Sequence, residues 1–147
     1  MVVSYSGSSN FVIKSYSQSG DYTDLLINEI GAYEGTVTSY LDFEKTQSLE
    51  INASGNWNIH FAPLSEMARA SNGSVFTGDN VVYIDEPSIS KLHITHDGDS
   101  NFVVKAIGTK DSKLLVNEIG SYDGTVKWNE GGAFFIVSAD GDWTISW

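Results

Sequence analysis

Apolar and polar residues alternate along most of this chain with a period of two, the repeat of a strand that buries one face. Trp57, Ile59 and Phe61 alternate with Asn58 and His60, and Trp143, Ile145 and Trp147 alternate with Thr144 and Ser146. Leu49, Ile51 and Ala53 alternate with Glu50 and Asn52, while Phe135, Val137 and Ala139 lie opposite Phe134, Ile136 and Ser138. The polar turns Ser54-Gly55-Asn56 and Asp140-Gly141-Asp142 divide these segments and read as tight hairpins, which predicts antiparallel pairing of the strands on either side. Further strands are expected near 2–6, 10–17, 23–29 and 34–40, with counterparts near 90–96, 101–107, 113–118 and 123–129. Ser74-Val75-Phe76 and Val81-Val82-Tyr83-Ile84 read as two more. Only Ser65-Glu66-Met67-Ala68-Arg69-Ala70 has helix formers in sequence, one turn's worth, ending at Ser71-Asn72-Gly73.

The pattern is written twice. Asn10-Phe11-Val12-Ile13-Lys14 returns as Asn101-Phe102-Val103-Val104-Lys105, and the block from Leu25 to Val37 returns from Leu114 to Val126 with ten of thirteen positions identical. Ala53-Ser54-Gly55-Asn56-Trp57-Asn58-Ile59 answers Ala139-Asp140-Gly141-Asp142-Trp143-Thr144-Ile145. The offset between copies drifts from 91 to 89 to 86, so length differences fall between matched blocks, where loops accept insertions. The expected organisation is a first β repeat over 1–62, a connection with extra strands over 63–88, and a second β repeat over 89–147. The fold class expected is all-β, an antiparallel β-sandwich built from two homologous internal repeats. A unit of about 60 residues has little interior of its own, so the two repeats are expected to pack together through an apolar interface with approximate twofold symmetry. A rival layout makes 71–147 a complete sandwich with 1–62 as a smaller neighbour.

Composition narrows the function classes. Eight Lys and Arg against nineteen Asp and Glu give a net charge of −11, a field that repels nucleic acid and anionic lipid headgroups. With no Cys, disulfides, thiolate chemistry and Cys-ligated zinc are excluded. The start, Met1 to Tyr5, lacks a basic segment followed by an apolar stretch, and no run approaches the length that spans a bilayer, so no membrane insertion is expected.

Candidate chemistry is sparse. His93 and His96 are three apart on a strand, which places them on opposite faces, and His60 aligns with Ser146; all three read as exposed strand residues. No catalytic signature is present. Asp97, Asp99 and Asn101 set oxygen side chains at alternate positions, the spacing with which a loop wraps calcium, the one candidate cofactor. The competing reading makes them hydrogen-bonding turn residues. Asp140 and Asp142, against Ser54 and Asn56, show the same acidification of the second copy. The Asn-Glu-Ile-Gly segments, 28–31 and 117–120, changed least. Their glycines and asparagines fit turn geometry. Alternatively Glu29 with Tyr33, and Glu118 with Tyr122, form a polar–aromatic ligand surface repeated twice. Tyr5, Tyr16, Tyr22, Tyr40, Phe43 and Tyr83 lie outside the inward rows, and flat rings on a sheet surface stack on sugars.

The combined pattern Gly-x-Ser-Asn-Phe-Val-x-Lys, Leu-Leu-[Ile/Val]-Asn-Glu-Ile-Gly-x-Tyr-[Asp/Glu]-Gly-Thr-Val and Ala-Asp-Gly-Asp-Trp-Thr-Ile resembles a repeat of uncharacterised exported and envelope-associated bacterial and archaeal proteins. The resemblance covers most of both copies and is better in the second, because Ser54 and Asn56 depart from the Asp-Gly-Asp-Trp form. It implies an all-β module, secreted or on the cell surface, and carries no assigned activity or ligand. The function expected is a non-catalytic extracytoplasmic module acting in binding or as a structural element of a cell-surface protein, with a glycan or a protein as its partner. One alternative is a carbohydrate-binding module assisted by calcium. Another is a hydrolase with paired carboxylates roughly 5 to 10 Å apart, for which no sequence spacing argues.

Overall fold

The computed structural model describes residues 1–39, 46–108, 112–130 and 132–147. The chain divides into two compact units, Met1–Ala62 and Pro63–Trp147. Among the described residues the elements are strands, save one 3-10 turn at Leu64–Glu66. In each unit two facing, mainly antiparallel sheets form a β-sandwich, in keeping with the period-two pattern.

The first unit contains β1 (Val2–Tyr5), β2 (Asn10–Tyr16), β3 (Tyr22–Ile30), β4 (Tyr33–Thr36), β5 (Ser48–Asn52) and β6 (Trp57–His60). They form two three-stranded sheets, in the orders β4-β1-β6 and β3-β2-β5. Val3 and Tyr5 of the first sheet meet Phe11, Ile13 and Ile27 of the second in a single buried cluster. At its centre the Tyr5 and Phe11 rings stack with centroids 4.4 Å apart. Tyr5 is therefore an inward residue, contrary to its expected place outside the inward rows.

The second unit follows the 3-10 turn with β7 (Ala68–Arg69), β8 (Ser74–Thr77), β9 (Asn80–Ile84), β10 (Lys91–His96), β11 (Asn101–Ile107), β12 (Ser112–Ile119), β13 (Tyr122–Lys127), β14 (Ala133–Ser138) and β15 (Asp142–Ser146). Its sheets run β13-β10-β15-β8 and β12-β11-β14-β9-β7. Residues 63–88 thus supply three strands to this unit's sheets: β8 pairs with β15, β9 with β14, and β7 lies parallel to β9. The helical turn expected over 65–70 is a 3-10 turn that gives way to β7, because a single turn does not outweigh the pairing of Ala68 and Arg69 with Val82 and Tyr83. The core is larger here, with Leu92, Ile94, Phe102, Val104, Trp128, Phe135, Trp143 and Ile145 almost wholly buried. The Trp128 ring meets Phe135 edge-on, and Lys113 Nζ lies 5.6 Å from its centroid.

Strand registers in the two units correspond. Tyr5 faces Tyr33 and Trp57, and His96 faces Tyr122 and Trp143. Phe11 faces Glu29, and Phe102 faces Glu118. The register shifts after Ile13 and after Val104, each time passing over one leucine, Leu26 or Leu115, as a bulge in the edge strand.

The two expected hairpins do not form. β5 pairs with β2 and β6 with β1; β14 pairs with β11 and β9, and β15 with β10 and β8. The turns at Gly55 and Gly141 carry the chain from one sheet to the facing sheet. Such an arch keeps both apolar rows pointing inward as a hairpin does, so alternation alone does not separate the two.

Candidate functional site

The arches converge at one end of each unit. Gly55 lies against Gly7 so closely that a Cβ on it would sit 2.7 Å from the Gly7 Cα, and a Cβ on Gly141 would sit 2.7 Å from the Gly98 Cα. Only glycine allows two turns to meet this way. Main-chain bonds join them: Ser6 N donates to Asn56 O at 3.0 Å, and Asp97 N to Asp142 O at 3.1 Å. Gly31 and Gly120, with φ of 97° and 86°, turn the neighbouring arch, and their amides donate to Ser9 O and Ser100 O.

The acidic side chains of the second unit act on this frame. Asp97 Oδ1 accepts from Asp142 N at 2.7 Å, and Asp140 Oδ2 accepts from Asp99 N at 3.1 Å and Ser100 N at 3.0 Å. Asp142 accepts from the Thr77 hydroxyl. Asp97 and Asp99 share the turn that faces Asp140, whereas Asn101 heads β11, opposite Ile119. Among the described residues, no group of three or more His, Asp or Glu is spaced to hold a metal ion.

His96 is buried, which corrects its reading as an exposed strand residue. Its ring stacks on Phe102 with centroids 4.3 Å apart, its Nδ1 lies 3.0 Å from Gly120 O, and its Nε2 faces Asp140 Oδ1 at 3.4 Å. It takes the place that Tyr5 holds in the first unit, where the phenol bonds Ser54 Oγ at 3.1 Å. A tyrosine–serine pair and a histidine–aspartate pair thus close the same end of the two cores. His93 is exposed, with Nε2 2.8 Å from Asp123 Oδ1.

The expected Glu29–Tyr33 and Glu118–Tyr122 pairs are split between sheets, since β3 and β4, like β12 and β13, belong to different ones. Tyr33 and Tyr122 pack tilted on Phe11 and Phe102, at 5.9 and 5.8 Å. Glu29 and Glu118 stand exposed on terminal strands, in register with those phenylalanines, where a charge discourages addition of another strand. The tyrosines do line equivalent clefts. One, of about 470 Å³, is bounded by Ser4, Tyr33, Glu34, Asn56, Trp57 and Asn58; the other, of about 380 Å³, by Thr95, His96, Tyr122, Asp123, Asp142 and Thr144. Neither includes Glu29 or Glu118.

A third cleft, also about 470 Å³, lies on the outer face of the five-stranded sheet. Its floor holds Tyr83, Phe134 and Ile107, and the segment of Met67 and Arg69 walls one side. The Tyr83 and Phe134 rings lie 4.9 Å apart at 43°. The Arg69 guanidinium sits 5.2 Å over the Tyr83 ring and 3.8 Å from Asp85 Oδ2, while the Tyr83 hydroxyl donates to Asp85 Oδ1 at 3.4 Å. The first unit has Ser48 and Glu50 where this face has Phe134 and Ile136. There Glu50 pairs with Lys14 and accepts from Tyr16, whose phenol is held above its ordinary range first by desolvation and then by that bond. No family model, curated protein or solved structure matches the chain.

Of the surface aromatics singled out in the sequence, only Tyr83 belongs to this cleft; Tyr40 and Phe43 lie outside the described residues. Phe134 and Arg69 are not among the site residues expected from the sequence. Adjacent apolar residues in β14, Phe134 beside Phe135 and Ile136 beside Val137, were the available signal, because a strand with apolar residues on both faces has something to cover on each.

Proposed function

We propose that the chain is a non-catalytic extracytoplasmic module that binds through the outer face of the five-stranded sheet of its second unit. The observation that carries this reading is the third cleft. A sandwich needs only one apolar face per sheet to fold, yet Phe134 and Ile136 stand half-buried on the outward face, where the first unit has Ser48 and Glu50, and Tyr83 joins Phe134 in lining the cleft. The carboxylates gathered at the arches are bonded to main-chain amides and fix turns, an arrangement that serves a scaffold. Placement outside the cytoplasm is supported by the resemblance of the repeat to exported and envelope-associated proteins.

The test is an NMR titration of the labelled chain with fractionated envelope material, separated into polysaccharide and protein fractions. Saturable shifts centred on Tyr83 and Phe134, with no turnover of the added material, are the expected result. Carboxylate-dependent cleavage of that material, or the absence of any shift at the cleft, would overturn the reading.

A further inference from the structure

From the chemistry of this cleft we infer that its ligand is a neutral oligosaccharide, an inference that rests on the binding role just proposed. The argument is one of charge and shape. Arg69 and Asp85 lie side by side at the cleft, 3.8 Å apart, and neutralise one another. An anionic ligand would compete with Asp85 for the guanidinium within a chain of net charge −11. A cationic one would displace Arg69 from the Tyr83 face. A neutral ligand keeps the pair intact.

What the pair offers is a fork of N–H donors beside two carboxylate acceptors. Vicinal hydroxyls, each both donor and acceptor, match that arrangement. Directly beside it, Phe134 and Tyr83 present an apolar, bent floor with centroids 4.9 Å apart. A sugar ring has one C–H-rich face and an equatorial belt of hydroxyls, so it can lie on the rings and reach the charged pair at once. Gly132 lines the cleft against Tyr83, where a Cβ would come 3.0 Å from the Tyr83 hydroxyl. The cleft volume of about 470 Å³ is within the range of small-ligand sites.

The residues divide the work. Phe134 supplies stacking area, Tyr83 packs beside it and carries the Arg69 guanidinium on its ring, and Arg69 and Asp85 orient the hydroxyls. The first unit has Ser48 and Glu50 at the positions of Phe134 and Ile136.

The experiment uses the full chain, labelled for NMR, and four defined probes: cellotetraose, maltotetraose, xylotetraose and tetra-N-acetylchitotetraose. At least one should give saturable shifts centred on Tyr83, Asp85 and Phe134, with a Kd on the order of 1 mM or tighter. Phe134→Ser, which installs the residue found at the matching position of the first unit, should weaken that Kd about tenfold. Asp85→Asn, an exposed change that leaves the fold intact, should weaken it by about tenfold as well. Asp123→Asn, on the other sheet, should leave it unchanged. If none of the four shifts the cleft while the envelope protein fraction does, the saccharide assignment is overturned and the binding role stands. If neither probes nor fractions shift it, both fall. Saccharide shifts centred elsewhere, or insensitive to Phe134→Ser and Asp85→Asn alike, also overturn the assignment.

Discussion

Trp57 and Trp143 begin equivalent strands, yet Trp57 is 48% exposed and Trp143 only 1%. The difference lies in what flanks β15. In the second unit β8 pairs alongside it, the Phe76 ring stacks on Trp143 at 4.7 Å, and the Trp143 indole donates to Gly78 O at 3.0 Å. β6 ends its sheet, so Trp57 shows its ring at an edge, and Phe61 beyond it is exposed too, although alternation predicts inward rows for both. One strand pattern thus yields a buried or an exposed ring according to its neighbour. Phe76 and Gly78, which flank Trp143 on this side, come from residues 63–88.

Substitutions at these two tryptophans give the largest expected contrast. Trp143→Ala should cost about 3–5 kcal/mol, and Trp57→Ala under about 1 kcal/mol, measured by urea unfolding followed by NMR signals from each unit. Equal losses would mean that β8 does not cover the second unit as described. Next in size is the exchange of polar pairs at the arch. Asp140→Ser removes the acceptor for two main-chain amides and should cost about 1–3 kcal/mol. Adding His96→Tyr restores the partner that serine has in the first unit, and a double-mutant cycle should show coupling on the order of 1 kcal/mol. Additive losses would break the equivalence of the two closures.

A smaller effect should be the same in both units. Gly31→Ala and Gly120→Ala each place a Cβ on a left-handed residue with no atom within 4 Å, so the cost is conformational alone, about 1–2 kcal/mol in either. Unequal costs would show that the two arches differ. Smallest is Glu86, present only in the second unit. The Ser88 hydroxyl and amide hold its carboxyl below the ordinary value. Ser88→Ala should let it rise toward that value in an NMR titration. Whatever stability the bonds give is present above the unfolded carboxyl's pKa and fades as pH falls through the lowered one. A Glu86 titration unchanged by the substitution would remove the Ser88 hydroxyl as a cause.

The strands were legible in the sequence because burial of one face imposes a period of two, and each expected strand at 10–17, 23–29, 101–107 and 113–118 has its counterpart in β2, β3, β11 and β12. Partner choice was not legible. Ser54-Gly55-Asn56 is compatible with a hairpin or an arch, and the decision depends on Gly7, nearly fifty residues earlier. His96 was misread because a polar type at an odd spacing says nothing about a phenylalanine ring waiting beneath it. Glu29 and Tyr33 are four apart in sequence, but the arch at Gly31 sends them to different sheets. The outer cleft joins Arg69, Tyr83 and Phe134, residues too distant in sequence for any local pattern to connect.

The arches also govern how the chain reaches this state. Among the described residues only β2 with β3, and β11 with β12, pair as consecutive strands, and the other ladders join segments separated by at least one intervening strand. Closing such loops is entropically expensive before any ladder rewards it, so assembly belongs to the millisecond-to-second regime of non-local β proteins. Newly made chains therefore spend that interval with unpaired strand edges.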